Sequence, residues 1–122
     1  MDGASLRRPS APGVGASAYS VAKAGLTQLA RLAALEFAPA GIRVNTVHPD
    51  AVFDTALWTD AALEQRASHY GLTVEAYKRR NLLKTEVRSR DVANVIARLI
   101  SDDFRCVTGA QVPIDGGNDR VI

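Results

Sequence analysis

Between Ser17 and Ala38 the chain carries apolar residues over most of the circumference of one long helix. Leu26, Leu29, Ala30, Ala33 and Phe37 fall on a single stripe at helical spacing, and Leu32 and Leu35 widen it. Such a helix has to be covered on more than one side, which suits a position between a sheet and a second subunit. Pro39-Ala40-Gly41 stops it, with Gly41 suited to a left-handed C-terminal position. The β-branched run Ile42-Arg43-Val44-Asn45-Thr46-Val47 then reads as a short strand ended by Pro49. A helix followed closely by a strand belongs to an α/β layer packing.

The flanks are less regular. Residues 1 to 16 are rich in Gly, Pro, Ser, Ala and Arg without a period, so they read as an N-terminal loop or tail. The stretch from Thr55 to Leu83 holds both histidines and the single tryptophan, and reads as one or two helices in a long excursion of the kind that forms lids and substrate loops. Ser89 is placed as an N-cap, with Asp91 in the first turn and Val92, Val95, Ile96, Leu99 and Ile100 on one helical face. Gln111-Val112-Pro113-Ile114-Asp115 reads as a final strand, whose proline requires a strand start or an unpaired N–H side. No internal repeat or low-complexity tract appears.

Composition excludes several classes of function. A hydrophobic content of 47% and a charged content of 23% are those of a soluble globular chain. The formal charge is only +2, and the basic cluster Lys78-Arg79-Arg80 has no interleaved aromatic stacking platform; it reads as a solvated helix face rather than a nucleic-acid patch. The single Cys106 permits no internal disulfide, and no Cys/His spacing indicates a metal site. No run approaches the ~18 apolar residues of a membrane span, and the N-terminus lacks the apolar core of a signal peptide. A cytoplasmic protein without membrane or nucleic-acid partners is expected.

The chemistry is carried by Tyr19 and Lys23, four residues apart at the front of the first helix. Positions i and i+4 share a face, so phenol and ammonium point into one pocket. A cation beside a phenol favours phenolate, bringing a group of pKa near ~10 towards acid/base work at neutral pH. Tyr-x-x-x-Lys is also a short pattern that arises by chance in ordinary helices.

The residues around the pair decide between these readings. A small-residue lead-in precedes it and Ala24-Gly25-Leu26 follows it. Further on come Gly41-Ile42-Arg43-Val44-Asn45-Thr46-Val47-His48-Pro49, then Thr108-Gly109 and Asp115-Gly116-Gly117. In this order the set resembles the second half of a short-chain dehydrogenase/reductase, from about residue 11 to the end. Pro49-Asp50-Ala51-Val52-Phe53, Trp58, His69-Tyr70-Gly71-Leu72-Thr73 and the ending from Asp115 to Ile122 are most similar to the dehydrogenase module of bifunctional rhamnulose-1-phosphate aldolase/alcohol dehydrogenase proteins.

The resemblance implies the C-terminal half of a doubly wound Rossmann-type fold over residues 17 to 122, a partial parallel sheet with flanking helices. It implies NAD or NADP as cofactor and a small alcohol or carbonyl compound as substrate. In that family the tyrosine exchanges the substrate proton, the lysine holds the nicotinamide ribose and lowers the tyrosine pKa, and a serine polarises the substrate oxygen. Tyr19 and Lys23 match directly. The serine falls where this chain has Leu6; Ser5, one place further away, is the candidate, and a ragged or foreign start over residues 1 to 10 is the alternative. Pro49, Asp50, Ala51 and Val52 match the turn that packs on the nicotinamide, with Asp50 where the general pattern has glycine. Thr55 sits one residue beyond the usual carboxamide-contacting threonine. Asn45 and Asp115-Gly116-Gly117 match fold markers, His48 and His69 read as structural, and Trp58, Tyr70 and Tyr77 either line a substrate pocket or pack the lid.

One string points elsewhere. Gly13-Val14-Gly15-Ala16-Ser17-Ala18 fits a pyrophosphate-loop pattern, but Arg7, Arg8, Pro9 and Pro12 leave no hydrophobic strand before it. The glycine turn, the NAD/NADP-discriminating residue and the Asn-Ala-Gly segment of the family's first half have no counterpart here. Little or no dehydrogenase activity is therefore expected of the isolated 122 residues, and completion by a missing N-terminal half or by homo-oligomerisation is expected. The alternative is a non-catalytic fragment or interaction module that retains only the fold signature.

Overall fold

A computed structural model describes residues 17–118. The first helix, α1, spans Ser17–Phe37 and is followed by a 3-10 turn at Ala38–Ala40. Strand β1 is Thr46–Pro49, helix α2 is Asp60–His69, α3 is Val74–Lys78, α4 is Ser89–Leu99, and β2 is Gln111–Ile114. The two strands pair in parallel, Thr46 opposite Gln111 and Pro49 opposite Ile114. The architecture is the expected one: a parallel sheet with flanking helices, entered through a long helix that ends at a left-handed Gly41 (φ 73°).

Strand β1 begins four residues later than the β-branched run indicates, and it includes Pro49. The cause lies in the side chains of the earlier residues. Arg43 donates to the carbonyls of Leu99 (2.8 Å), Val107 (3.1 Å) and Ser101 (3.4 Å). The Asn45 amide donates to Val107 O (3.0 Å) and accepts from Ala110 N (3.0 Å), while Val44 N donates to Thr108 Oγ1 (3.1 Å). These side-chain bonds, together with one main-chain bond from Gly109 N to Val44 O (2.7 Å), hold residues 43–45 against 107–110 without a regular strand ladder. The ladder then runs from Thr46 N to Ala110 O (2.9 Å) through to Asp50 N to Ile114 O (3.2 Å). Both bonds join even-numbered residues, so the nitrogen of Pro113 falls on the open side of β2, as a strand proline requires.

The excursion resolves into two helices, each capped by a threonine: Thr59 Oγ1 accepts from Ala62 N and Thr73 Oγ1 from Ala76 N, both at 3.1 Å. Ser89 is not the N-cap of α4 but its first helical residue; Arg88 holds the cap position. Asp91 accepts from Arg88 N (2.8 Å), and the Asp54 carboxylate reaches across to accept from Ser89 N (2.9 Å) and Ser89 Oγ (2.8 Å). The N-terminus of α4 is thus served by an anion from a distant loop.

The largest buried cluster joins the excursion to the turn that follows β1. Phe53, Leu63, Ala67 and Tyr77 are buried together, with Ala51, Trp58 and Val74 packed around them. Trp58 meets Phe53 edge-on at 5.0 Å and Tyr77 lies 5.3 Å from Phe53, so of the two roles open to these aromatics Trp58 and Tyr77 take the packing one. Helix α1 departs from the expectation of cover on several sides. Only Ala34 is buried, while Leu29 and Leu35 are 62% and 74% exposed. Among the described residues no helix is long and apolar enough to cross a membrane.

Candidate active site

Tyr19 and Lys23 share a face of the first turns of α1, with Lys23 Nζ over the phenol ring, 5.6 Å from its centroid. Tyr19 is half-buried and Lys23 exposed. The phenol is nevertheless pushed above its ordinary range, first by burial and then by the Asp50 carboxylate. This reverses the lowering expected from the lysine. The ammonium is placed over the ring, while partial desolvation and a nearby carboxylate both act against phenolate.

Asp50 matches the nicotinamide-side turn in the sequence, and its partners come from outside that turn as well as within it. It stands at the carboxyl end of β1, is only 9% exposed, and is held at both oxygens. Oδ1 accepts from Ala51 N (2.8 Å) and Oδ2 from the Asn118 amide (2.6 Å). Burial pushes its carboxyl up, against the opposing pull of those two hydrogen bonds and the Arg80 cation, and with Asp115 adding to the rise. Asp50 therefore ties the end of β1 to the turn after β2. Asn118 stands in the ending that marks the narrower resemblance, yet no local pattern assigns it this bond, because its partner lies 68 residues away.

The other turn residues take distinct places. Pro49 closes β1 and is exposed; Ala51 adopts a left-handed φ of 56° and packs on the aromatic cluster; Val52 is half-buried. A non-glycine residue in that region costs roughly 1–2 kcal/mol, a strain of the kind found at ligand-binding turns. Ser5 and residues 13–16 of the glycine string lie outside the described residues. His48 is bonded through Nε2 to the Gln111 side chain, and His69 stacks edge-on with Tyr70, which agrees with structural roles. Thr55 is half-buried, and its neighbour Asp54 is taken up by Ser89.

The basic cluster divides. Arg79 is exposed beside Glu75 (4.0 Å), and Lys78 meets Glu86 (3.5 Å). Arg80 does not belong to a solvated face: its guanidinium lies over Tyr77 (4.7 Å) and Tyr70 (4.9 Å), and its Nε is buried without a hydrogen-bond partner. The turn Asp115-Gly116-Gly117 is closed by Gly117 N donating to Asp115 Oδ1 (2.8 Å). A Cβ on Gly116 would stand 2.5 Å from Asn81 Cγ, so that glycine is required.

The arrangement puts a phenol, an ammonium and a buried carboxylate around the carboxyl ends of a parallel strand pair, the end at which open α/β sheets take ligands. The Tyr19 hydroxyl and Lys23 ammonium offer donors to a diol or a carbonyl oxygen, and the turn that follows β1 brings the Asp50 carboxylate within electrostatic reach of the phenol.

A family model described as enoyl-(acyl carrier protein) reductase matches residues 7–119. An oxidoreductase of uncharacterised activity from Bacillus subtilis, YuxG, is 41% identical over 110 residues, covering 86% of this chain and 16% of the relative. The 2,3-dihydro-2,3-dihydroxybenzoate dehydrogenase of Escherichia coli is 37% identical, over 88% of this chain and 44% of the relative. Among solved structures, sorbitol-6-phosphate 2-dehydrogenase SrlD from Erwinia amylovora superposes with a TM-score of 0.75 at 27% identity, covering 91% of this chain and 44% of that one. A 4-hydroxyisoleucine dehydrogenase mutant complexed with NADH and succinate superposes at 0.65 with 31% identity, over 85% of this chain and 40% of that one. The chain spans less than half the length of these relatives. The Tyr19/Lys23 helix, the parallel pair and the closing glycine turn thus sit on a matched stretch of nearly the whole sequence, and the chain belongs to the short-chain dehydrogenase/reductase family.

Proposed function

We propose that this chain is the catalytic half of an NAD(P)-dependent dehydrogenase that moves hydride between cofactor and a small alcohol or carbonyl substrate. The observation that carries the reading is the placement of the Tyr19 phenol under the Lys23 ammonium, with the Asp50 turn at the same end of the strands. The donor set fits one end of the cofactor. Lys23 and Tyr19 suit the hydroxyls of a ribose, and residues 49–52 suit a flat amide-bearing ring. Among the described residues no glycine-rich turn links a strand to a helix N-terminus, so the pyrophosphate and adenosine would be held elsewhere. When bound, the nicotinamide supplies or accepts the hydride.

The chain's own residues manage the proton. The Tyr19 hydroxyl donates a hydrogen bond to the substrate oxygen, passing the proton in reduction and taking it back in oxidation. Burial and the Asp50 carboxylate favour the protonated phenol, so it is set as the acid. A cationic nicotinamide or a close approach of Lys23 to the oxygen would shift it towards phenolate, the form that acts as base. Ser5 is proposed as the third member, polarising the substrate oxygen.

The narrower reading is the dehydrogenase module of a bifunctional rhamnulose-1-phosphate aldolase/alcohol dehydrogenase, acting in the cytoplasm on a short aldehyde such as lactaldehyde or on a sugar alcohol. Asp50 in the position of a family glycine supports it, as does a 41% identical relative of which this chain covers only 16%. The exposed apolar stripe of α1 supports completion by further polypeptide, either a second copy or an N-terminal half. Little or no turnover is expected from the 122 residues alone.

Fluorescence titration of the purified chain with NADH and NADPH, beside a Tyr19→Phe/Lys23→Ala variant, tests the reading. Binding that the variant loses supports a working nicotinamide pocket. Absence of binding at millimolar cofactor favours the rival, a non-catalytic fragment that keeps the fold signature.

A further inference from the structure

Arg80 lies just past α3, within electrostatic reach of Asp50 at the carboxyl end of β1 and so on the substrate side of the strands. Its guanidinium is fixed on a shelf of two stacked rings, Tyr70 and Tyr77, whose centroids are 5.7 Å apart with planes inclined by 21°. Stacking uses the faces of a guanidinium and leaves its in-plane N–H donors to find acceptors. They find none close by: Nε is buried and unbonded, and among the described residues no carboxylate makes an ion pair with Arg80. Asp50 is the near anion, but its two oxygens are engaged by Ala51 N and Asn118. A planar, pre-ordered cation that makes no ion pair, held on the ring cluster that packs against Ala51 next to Asp50, presents its terminal N–H donors to an oxyanion.

On the reading that Tyr19 and Lys23 form a dehydrogenase site, we propose that Arg80 binds an oxyanion carried by the substrate, a carboxylate or a phosphate ester, and so selects anionic hydroxy or carbonyl compounds. The guanidinium would anchor the charged end while the reacting carbon lies toward Tyr19. Arg79, one residue earlier and exposed beside Glu75, has no such role and serves as the control.

The test uses the full chain without cofactor, so that it can fail while nicotinamide binding holds, or hold while that binding fails. Inorganic phosphate and acetate are titrated in separate arms at constant ionic strength. The readouts are the fluorescence of Trp58, which packs on the same cluster as Tyr77, and the Arg side-chain Nε–H signals in 1H–15N spectra. The expected result is a saturable response in at least one arm, weakened tenfold or more in Arg80→Gln and unchanged in Arg79→Gln. A stronger response to phosphate identifies a phosphate-ester substrate, and a stronger response to acetate a carboxylate. Arg80→Lys retains the charge without the fork and is expected to bind weakly, and it carries the test if Arg80→Gln does not fold. A folded wild-type chain with no saturable response in either arm, or one whose response survives in both Arg80 variants, overturns the proposal.

Discussion

Gly116→Ala is the sharpest test of how the two strand ends are locked together. Gly116 has a φ of 64°, and a Cβ there would lie 2.5 to 2.7 Å from the Cγ, Nδ2 and Oδ1 atoms of Asn81. The backbone conformation alone costs an alanine about 1 kcal/mol relative to glycine. Asn81 cannot yield cheaply. It is 3% exposed, donates to Thr85 O (2.6 Å) and accepts from Thr85 N (3.2 Å). Displacing it gives up two hydrogen bonds of about 1 kcal/mol each and leaves a buried amide unpaired, so the total is about 3–5 kcal/mol. That is a large share of the roughly 5–15 kcal/mol of a typical domain, and in urea it moves the midpoint down by about 2 M at a slope of about 2 kcal/mol per M. Gly25→Ala supplies the opposite sign: Gly25 is helical with nothing within 4 Å of its would-be Cβ, so the substitution stabilises by roughly 0.5–1 kcal/mol. Measuring Gly116→Ala also in an Asn81→Ala background isolates the clash, which then disappears while the φ cost stays. A loss below about 1 kcal/mol in the wild-type background, or an equal loss in both backgrounds, would refute the reasoning, since the steric part alone exceeds that figure.

Three further outcomes follow from the same structure. Asp50 has a folded pKa raised by burial, so its stabilising contribution is complete below its unfolded value near ~3.9 and is lost as pH rises through the folded value. Asp50→Asn should therefore match the wild type in acid and exceed it in urea midpoint above that window; the same variant should bring the Tyr19 phenol down in a 13C titration of its ring carbon. Arg43→Ala removes a guanidinium shared by three carbonyls and should cost about 2–3 kcal/mol by denaturation, with protection from hydrogen exchange falling first at residues 107–110. Phe53→Ala opens the aromatic cluster and should cost about 3–5 kcal/mol, with Trp58 emission shifting to the red in the native baseline.

What could be read in advance was local. The span of α1, its stop at Gly41, the face shared by Tyr19 and Lys23, α4 and the final strand are set by spacings of a few residues, and these hold. The errors arose where a side chain reaches far along the chain. The strand start slipped because Arg43 and Asn45 bond to partners more than 50 residues away, and Ser89 lost its cap position because Asp54 lies 35 residues before it. The direction of the Tyr19 shift comes first from burial of the phenol and then from Asp50 folded back toward it, neither of which a spacing encodes. Lys78-Arg79-Arg80 reads as one charged face because a run of basic residues does not reveal which member will lie on a ring.

The separation of β1 from β2 also sets an order of events. Thr46 and Gln111 are 65 residues apart, and every bond that registers the two strands closes a loop of about that length. Helix α1 and the threonine-capped turns of the excursion can form early from near neighbours, but the strand pairing bears the entropy of the long loop and must come late. The phenol and the ammonium are thus in place before the carboxylate turn arrives. Hydrogen exchange during refolding would show α1 protected ahead of Thr46 and Asp50, and the pocket maturing in a slower phase than the helix that carries its name residues.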